Sequence, residues 1–223
     1  GKVYLEYYNG FTLYGSNNPT KEAFGITFYK HGAEPETPIP EETGDLITSL
    51  SQLTDGATVA IYSPGHMTAI SSKPNGDWYL KANSATVEDN KVVNFTQDYI
   101  WTVKVNTDGT YSFYSYSDEG NAISVWPSGT YAELTVNPNY NDNTVHNWQL
   151  SAFSSENHTW YIKSSTLTIT KNNAELPVYI EAYLHYGTEV FSGSAPYSSQ
   201  LTDTAYALQF YLVNPDDALS AYD

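Results

Sequence analysis

The sequence predicts an all-β chain, and three observations carry the prediction. Tyr, Thr and Val favour extended backbone, and Tyr alone occurs 21 times in 223 residues. Turn-forming pairs separate the short apolar runs, at Asp55-Gly56, Asn75-Gly76 and Asp108-Gly109. Within those runs apolar and polar residues alternate, so that Val59/Ile61, Tyr111/Phe113 and Trp160/Ile162 each face one way. Few charges among many strand formers describe a folded chain and not a disordered one.

The elements follow in order. Residues 1–33 carry VYLEYY (3–8) and ITFYK (26–30), and the same motifs recur in the same order as VYIEAY (178–183) and LQFYLV (208–213). A motif pair repeated in order marks duplication, so 1–33 reads as the C-terminal strands of a preceding repeat. Thirty residues cannot bury a core alone, so this fragment is expected to dock on the main domain, pair with another molecule or stay disordered. Residues 34–44 (EPETPIPEETG) form a Pro/Glu-rich linker without apolar periodicity. The main β domain spans 45–215, and 216–223 begins a further linker. Gly1 falls inside a strand pattern, which is expected of a piece cut from a larger protein.

The main domain contains a finer repeat. Three strand pairs align: 58–63 with 68–72, 110–115 with 122–126, and 159–165 with 178–183 after a longer insert. Val59, Tyr111 and Trp160 become equivalent, as do Trp101, Trp148 and Phe210. Three repeats of about four short strands each predict a β-trefoil-like barrel, whose closure removes most sheet edges. The pattern W-x-V, D-G-x-Y, then a short apolar strand looks like the ricin-B type of that repeat. A two-sheet β-sandwich has similar strand spacing and is the alternative.

The run LTDGATVAIYSPGHMTAIS (53–71), followed by IWTVKVNTDGTYSF (100–113), NWQLSA, VYIEAY and FYLV, resembles a repeat module of secreted or cell-surface proteins of gut Clostridia. Surface 5′-nucleotidase-like metallophosphatases carry such modules, and starch adherence proteins of ruminococci are another setting. The resemblance covers most of 45–215 and the fragment 1–30. It implies a non-catalytic accessory module of a secreted or cell-surface protein, with a polysaccharide or glycan as partner and α-glucan (starch) as the leading ligand. Neighbouring repeat modules of the same protein are the other implied partners. Two positions depart from the family: Y-N-P-A-N is Tyr62-Ser63-Pro64-Gly65-His66 here, and Y-L-E-W-Y is Tyr179-Ile180-Glu181-Ala182-Tyr183.

Composition and motifs narrow the chemistry. With no cysteine, disulfides, thiol catalysis and cysteine-ligated metals are impossible. Nine Lys and Arg against 25 Asp and Glu leave no phosphate-neutralising surface, so nucleic acid is not a partner. No run approaches the length of a bilayer span, so membrane insertion by a helix is not expected. The five histidines form no ligand pattern, and there is no G-x-S-x-G elbow or P-loop. The chain is therefore expected not to be an enzyme and to need no cofactor. Calcium at NPNYNDN (137–143) or beside Thr202-Asp203 is a weak candidate, since these oxygens lack the spaced acids of a dedicated loop. Glu181 and its counterpart Glu6 read as structural acceptors for a backbone or Tyr hydroxyl.

The aromatic residues sort by the same repeat. Trp101, Trp148 and Trp160 have equivalents and belong to the barrel. Trp78 and Trp126 have none and lie in Pro/Gly/Asn-rich loops. Such residues suit stacking on a sugar ring; the bland account is that each covers an apolar barrel end. Asn75 and Asp77 beside Trp78, and Ser128 and Glu133 beside Trp126, would supply hydrogen bonds, and Tyr79, Tyr131 and Tyr140 would extend the platform. A second cluster, YLHYGTEVF (183–191), matches YYNGFTLY (7–14). A structural spacer or protein-interaction repeat accounts for the same aromatic surface as well.

Overall fold

The computed structural model describes residues 3–7, 11–15, 45–173 and 176–219. The chain divides into two compact units, Gly1–Glu42 and Thr43–Asp223. In the first, β1 (Val3–Tyr7) and β2 (Phe11–Gly15) form an antiparallel hairpin, with Tyr7 opposite Phe11. The strand expected at 26–30 and the linker at 34–44 lie outside the described residues.

The second unit is built of three successive segments. The first holds β3 (Thr58–Ser63), β4 (Thr68–Pro74), β5 (Leu80–Ser84), β6 (Thr86–Glu88), β7 (Lys91–Val93) and β8 (Trp101–Val105). The second holds β9 (Tyr111–Ser115), β10 (Ser124–Ser128), β11 (Tyr131–Thr135) and β12 (Trp148–Ser154). The third holds β13 (Thr159–Asn173), β14 (Leu176–Tyr186), β15 (Val190–Ser194) and β16 (Gln209–Leu212).

The pairing closes a ring. Val59 of β3 faces Trp101 of β8, Val105 of β8 faces Tyr111 of β9, and Tyr111 faces Trp148 of β12. Ala152 of β12 then faces Trp160 of β13, Trp160 faces Leu208, and Phe210 of β16 returns to Ile61 of β3. This six-stranded barrel is capped by three hairpins: β4–β5, β10–β11, and the end of β14 with β15. That is the β-trefoil, and a closed ring is incompatible with the two-sheet sandwich.

The register corrects one sequence equivalence. Val59, Tyr111 and Trp160 face Trp101, Trp148 and Leu208 respectively, so the residue equivalent to the two tryptophans is Leu208, not Phe210. Phe210 lies two residues further on, one pleat repeat along the same face of the strand. It stacks at 5.5 Å on Phe113 inside the barrel. Ile61, Phe113 and Ile162 are its fully buried companions on three other barrel strands.

The two core tryptophans also tie caps to barrel. The indole N–H of Trp101 donates to the Ile70 carbonyl at 3.2 Å, and that of Trp148 to the Ile123 carbonyl at 2.9 Å. Both acceptors lie at equivalent cap positions, and each bond satisfies a polar group that burial would otherwise orphan. Trp160 is half-buried against the same core, with its indole N–H buried and unpartnered.

The insert expected in the third repeat is a hairpin. β13 continues beyond the barrel and returns as β14, with a bulge between Lys163 and Thr168. Leu167, Ile169 and Ile180 pack it onto the core. At its root Glu181 accepts from the Tyr183 hydroxyl at 3.3 Å and pairs with Lys163 at 2.8 Å, the structural role expected of it. At the C-terminal end, Leu219 donates its N–H to Phe95, so the chain remains on this unit through residue 219.

Turn chemistry follows the sequence signals. Gly76 and Gly109 adopt positive φ, the left-handed region that favours glycine. Asp108 accepts from the Thr110 N–H and hydroxyl at 3.0 and 2.6 Å, and these bonds hold its carboxyl below the ordinary range.

Candidate functional site

A groove lies where the third segment meets the first. Its floor is set by pairs of stacked rings. His66 lies on Tyr186 with centroids 3.9 Å apart and planes at 21°, and His185 lies on Tyr206 at 5.2 Å and 20°. Each ring is placed by a separate element. His66 follows the end of β3 and is held through Nδ1 by the buried Ser63 hydroxyl at 3.0 Å. His185 and Tyr186 close the end of β14, and Tyr206 ends a 3-10 turn over Thr204–Tyr206 capped by Asp203.

Hydrogen bonding fixes the tautomer of His185. Its Nδ1 lies 3.0 Å from the Ser192 carbonyl, which can only accept, so Nδ1 carries the proton. Nε2 is then left as an acceptor. Burial lowers the His185 pKa below its ordinary value, opposed by the Ser192 carbonyl and by Asp203, so the ring is neutral at pH 7. Tyr206 donates to or accepts from Ser194 at 3.0 Å, and burial pushes its phenol upward.

Around these rings lies a groove of about 900 Å³ with Ser199, Gln200, Thr202 and Asp203 on its rim. A second lobe of about 610 Å³ shares His185, Gly187 and Thr188 with it and continues to Asn75, Gly76 and Tyr79. Among the described residues neither lobe is lined by Lys or Arg. The rim segment is anchored by the Tyr161 hydroxyl, which donates to the Leu201 carbonyl at 2.6 Å. An aromatic chain runs beneath it: Phe153, Tyr161, Tyr183, Tyr206 and His185 are successive ring neighbours at 5.1–6.1 Å.

The residues singled out from sequence fall in two places. Asn75, Asp77, Trp78 and Tyr79 occupy the tip of the β4–β5 hairpin, where the Asn75 N–H donates to the Tyr79 carbonyl at 2.8 Å. Trp78 is 46% exposed and Tyr79 39% exposed. Asn75 and Tyr79 line the groove. The others sit on the β10–β11 hairpin. Trp126 is half-buried beneath Tyr140, with ring centroids 4.9 Å apart, and lies opposite Glu133 in the ladder. Tyr131, opposite Ser128, is 69% exposed. The Trp126 indole N–H and one Glu133 oxygen are buried and unpartnered.

The two places adjoin through β11. The Trp78 carbonyl accepts from the Leu134 N–H at 3.1 Å, one residue from Glu133. The loop considered for calcium uses its own side chains locally: Asn137 and Asn141 accept from the N–H groups of Asn139 and Asn143 at 2.9 and 2.8 Å. Asp203 likewise caps Ala205. Among the described residues no group of three or more His, Asp or Glu converges as a metal site.

Sequence reading left His66, Gln200 and Tyr206 out of the site. The signal for the groove was the aromatic cluster YLHYGTEVF, which contributes His185, Tyr186, Gly187 and Thr188. His66 gave none, because it is distant in sequence and its partner Tyr186 is fixed only by the fold.

Fold and site together define a β-trefoil with an open, ring-floored polar groove. No family model matches the chain, and no curated protein does. Among solved structures it is similar to one described as "BEL beta-trefoil apo crystal form 3", at 12% identity and TM-score 0.44, over 72% of this chain and 95% of that one. It is also similar to a GH54 α-L-arabinofuranosidase, in a mutant form soaked with 4-nitrophenyl α-L-arabinofuranoside, at 15% identity and TM-score 0.44. That match covers 71% of this chain, which spans 31% of the arabinofuranosidase.

Proposed function

We propose that this chain is a non-catalytic carbohydrate-binding module of a secreted or cell-surface bacterial protein, with α-glucan as its ligand. The observation that carries the reading is the groove. It combines the flat rings of His66, Tyr186 and Tyr79 with hydroxyl, amide and carboxylate groups at Thr202, Gln200 and Asp203. Sugar rings present apolar C–H faces and equatorial hydroxyls, and a site of planar rings flanked by short polar side chains complements both. α-Glucan as ligand and the cell-surface setting rest on the sequence resemblance.

The non-catalytic part is supported by the acids. Glycoside hydrolysis needs two carboxylates across the scissile bond. Asp203 is the carboxylate that lines the groove among the described residues, and one of its oxygens is engaged in capping Ala205. Trp126, Tyr140, Tyr131 and Trp78 would add an aromatic patch beside the groove for the same ligand class.

The test is affinity electrophoresis of the whole chain in native gels containing amylopectin, pustulan, xylan or mucin. Retardation by amylopectin, lost in His66→Ala and Gln200→Ala, is the expected outcome. Trp126→Ala reads the patch separately. Unretarded migration in every gel refutes the carbohydrate reading and leaves the spacer or protein-interaction role.

A further inference from the structure

The groove has two lobes, and their arrangement restricts the ligand further. We infer that it takes an internal stretch of an uncharged, linear glycan, held on the His66–Tyr186 side in one lobe and on the Tyr79–Asn75 side in the other; this rests on the carbohydrate reading.

Size is the first argument. The larger lobe, at about 900 Å³, lies near the top of the roughly 300–1,000 Å³ range of small-molecule sites. The second adds about 610 Å³ across a shared wall of His185, Gly187 and Thr188. One or two sugar units would leave most of that space to water. A chain running past the shared wall fills both lobes.

Shape is the second. Both lobes are open clefts and not enclosed cavities. An enclosed pocket would stop a chain at its last sugar; neither lobe is enclosed, so a polymer can extend past them. Tyr79 stands at the far end, 39% exposed, available as a second stacking surface separate from the first.

Charge is the third. The protein carries a formal charge of −16, and Asp203 lies on the groove. Among the described residues no Lys or Arg lines either lobe. Uronate or sulfate groups would meet like charge without a compensating donor, which opposes their binding. Hydroxyls meet complementary partners, including the free Nε2 acceptor of His185.

Calorimetric titration of the whole chain tests this, using malto-, xylo- and cello-oligosaccharides in short (trisaccharide) and long (hexa- or heptasaccharide) forms, with oligogalacturonides as the anionic control. The long member of the bound series is expected to bind about tenfold tighter than the short one. Tyr79→Ala should remove that advantage by weakening the long form toward the trisaccharide, and Tyr79→Phe should restore it. Circular dichroism confirms that the variants fold. Equal affinity for both lengths, or Tyr79→Ala weakening both lengths alike, overturns the two-lobed site while the carbohydrate reading stands. Preference for oligogalacturonide overturns the uncharged ligand. Silence of every series, with no retardation in the gels, removes the carbohydrate reading and this inference with it.

Discussion

Among the described glycines, Gly193 is the one where an added carbon meets the closest backbone atoms. It sits in β15, opposite Leu184, where the third cap hairpin presses on the second. A Cβ there would lie 2.9 Å from both the carbonyl carbon and the oxygen of Ala132, and 3.1 Å from the Glu133 nitrogen. Non-bonded carbon atoms rest at about 3.5–4.0 Å, so one hairpin must retreat by roughly 0.5–1 Å. The obstructing atoms are backbone, and no side-chain rotamer can relieve them. Overpacking of this kind costs about 1–3 kcal/mol. In a domain of this size each kcal/mol lowers the melting midpoint by about 2–4 °C, so Gly193→Ala is expected to melt about 2–12 °C below the parent. Thermal melts followed by circular dichroism read the shift. Gly65→Ala is the control: its nearest atoms belong to the Thr204 side chain at 3.5 and 3.7 Å, which is ordinary contact, so it should leave the midpoint within about 1 °C. If Gly193→Ala melts with the parent, or the two variants shift alike, the close approach of the caps is wrong. Since Ser192, the neighbour of Gly193, holds His185, displacement of β15 should also weaken ligand retention.

Three further outcomes follow from the same geometry. Trp148→Phe and Trp101→Phe each orphan a buried carbonyl and should cost about 1–3 kcal/mol in urea unfolding, with Trp148, the shorter bond, the more costly. Burial, together with Glu181 for the first, pushes Tyr183 and Tyr211 up to about 12 from an unfolded value of 10.0. Their contribution is complete below pH 10 and lost as pH rises toward 12, so urea midpoints should fall across that window, less steeply in Tyr183→Phe/Tyr211→Phe. His185 shifts the other way: burial favours the neutral ring, so its contribution is present above the unfolded value of 6.5 and lost on acidification. His185→Gln should flatten the stability loss between about pH 7 and 5, with the remainder from His146, which burial also lowers.

The fold was legible because its signals repeat. Strand alternation, Asp-Gly turns and the matched positions Val59, Tyr111 and Trp160 each occur in a form that one sequence can show against itself. Equivalence slipped at Phe210 for a physical reason. In a strand, residues two apart share a face, so Leu208 and Phe210 are both inward and apolar, and only the partner across the ladder tells them apart. Trp101 and Trp148 were placed in the core by their equivalence, and the structure adds what their indole N–H groups do there.

The groove was half legible, and the missing half shows where one-dimensional reading stops. Tyr79 and Asn75, singled out because they sit in a turn whose aromatic has no core role, line the groove. Tyr206 and His66 were missed for opposite reasons. Tyr206 ends a 3-10 turn just before β16 and is buried, so nothing separates it from core until its ring is seen stacked with His185. His66 stands alone in a turn, and an isolated histidine carries no pattern. What makes it part of a site is a stack on Tyr186, 120 positions later, and a serine at a strand end whose equivalents, Ser115 and Ser164, are also buried. Ser115 bonds Ser117 and Ser164 caps Leu167, whereas Ser63 turns its hydroxyl to a ring. The threefold scaffold thus provides one buried hydroxyl per repeat, and the loop after it decides the use. The first repeat places an imidazole there and the third offers the ring that receives it, so the groove forms at their junction.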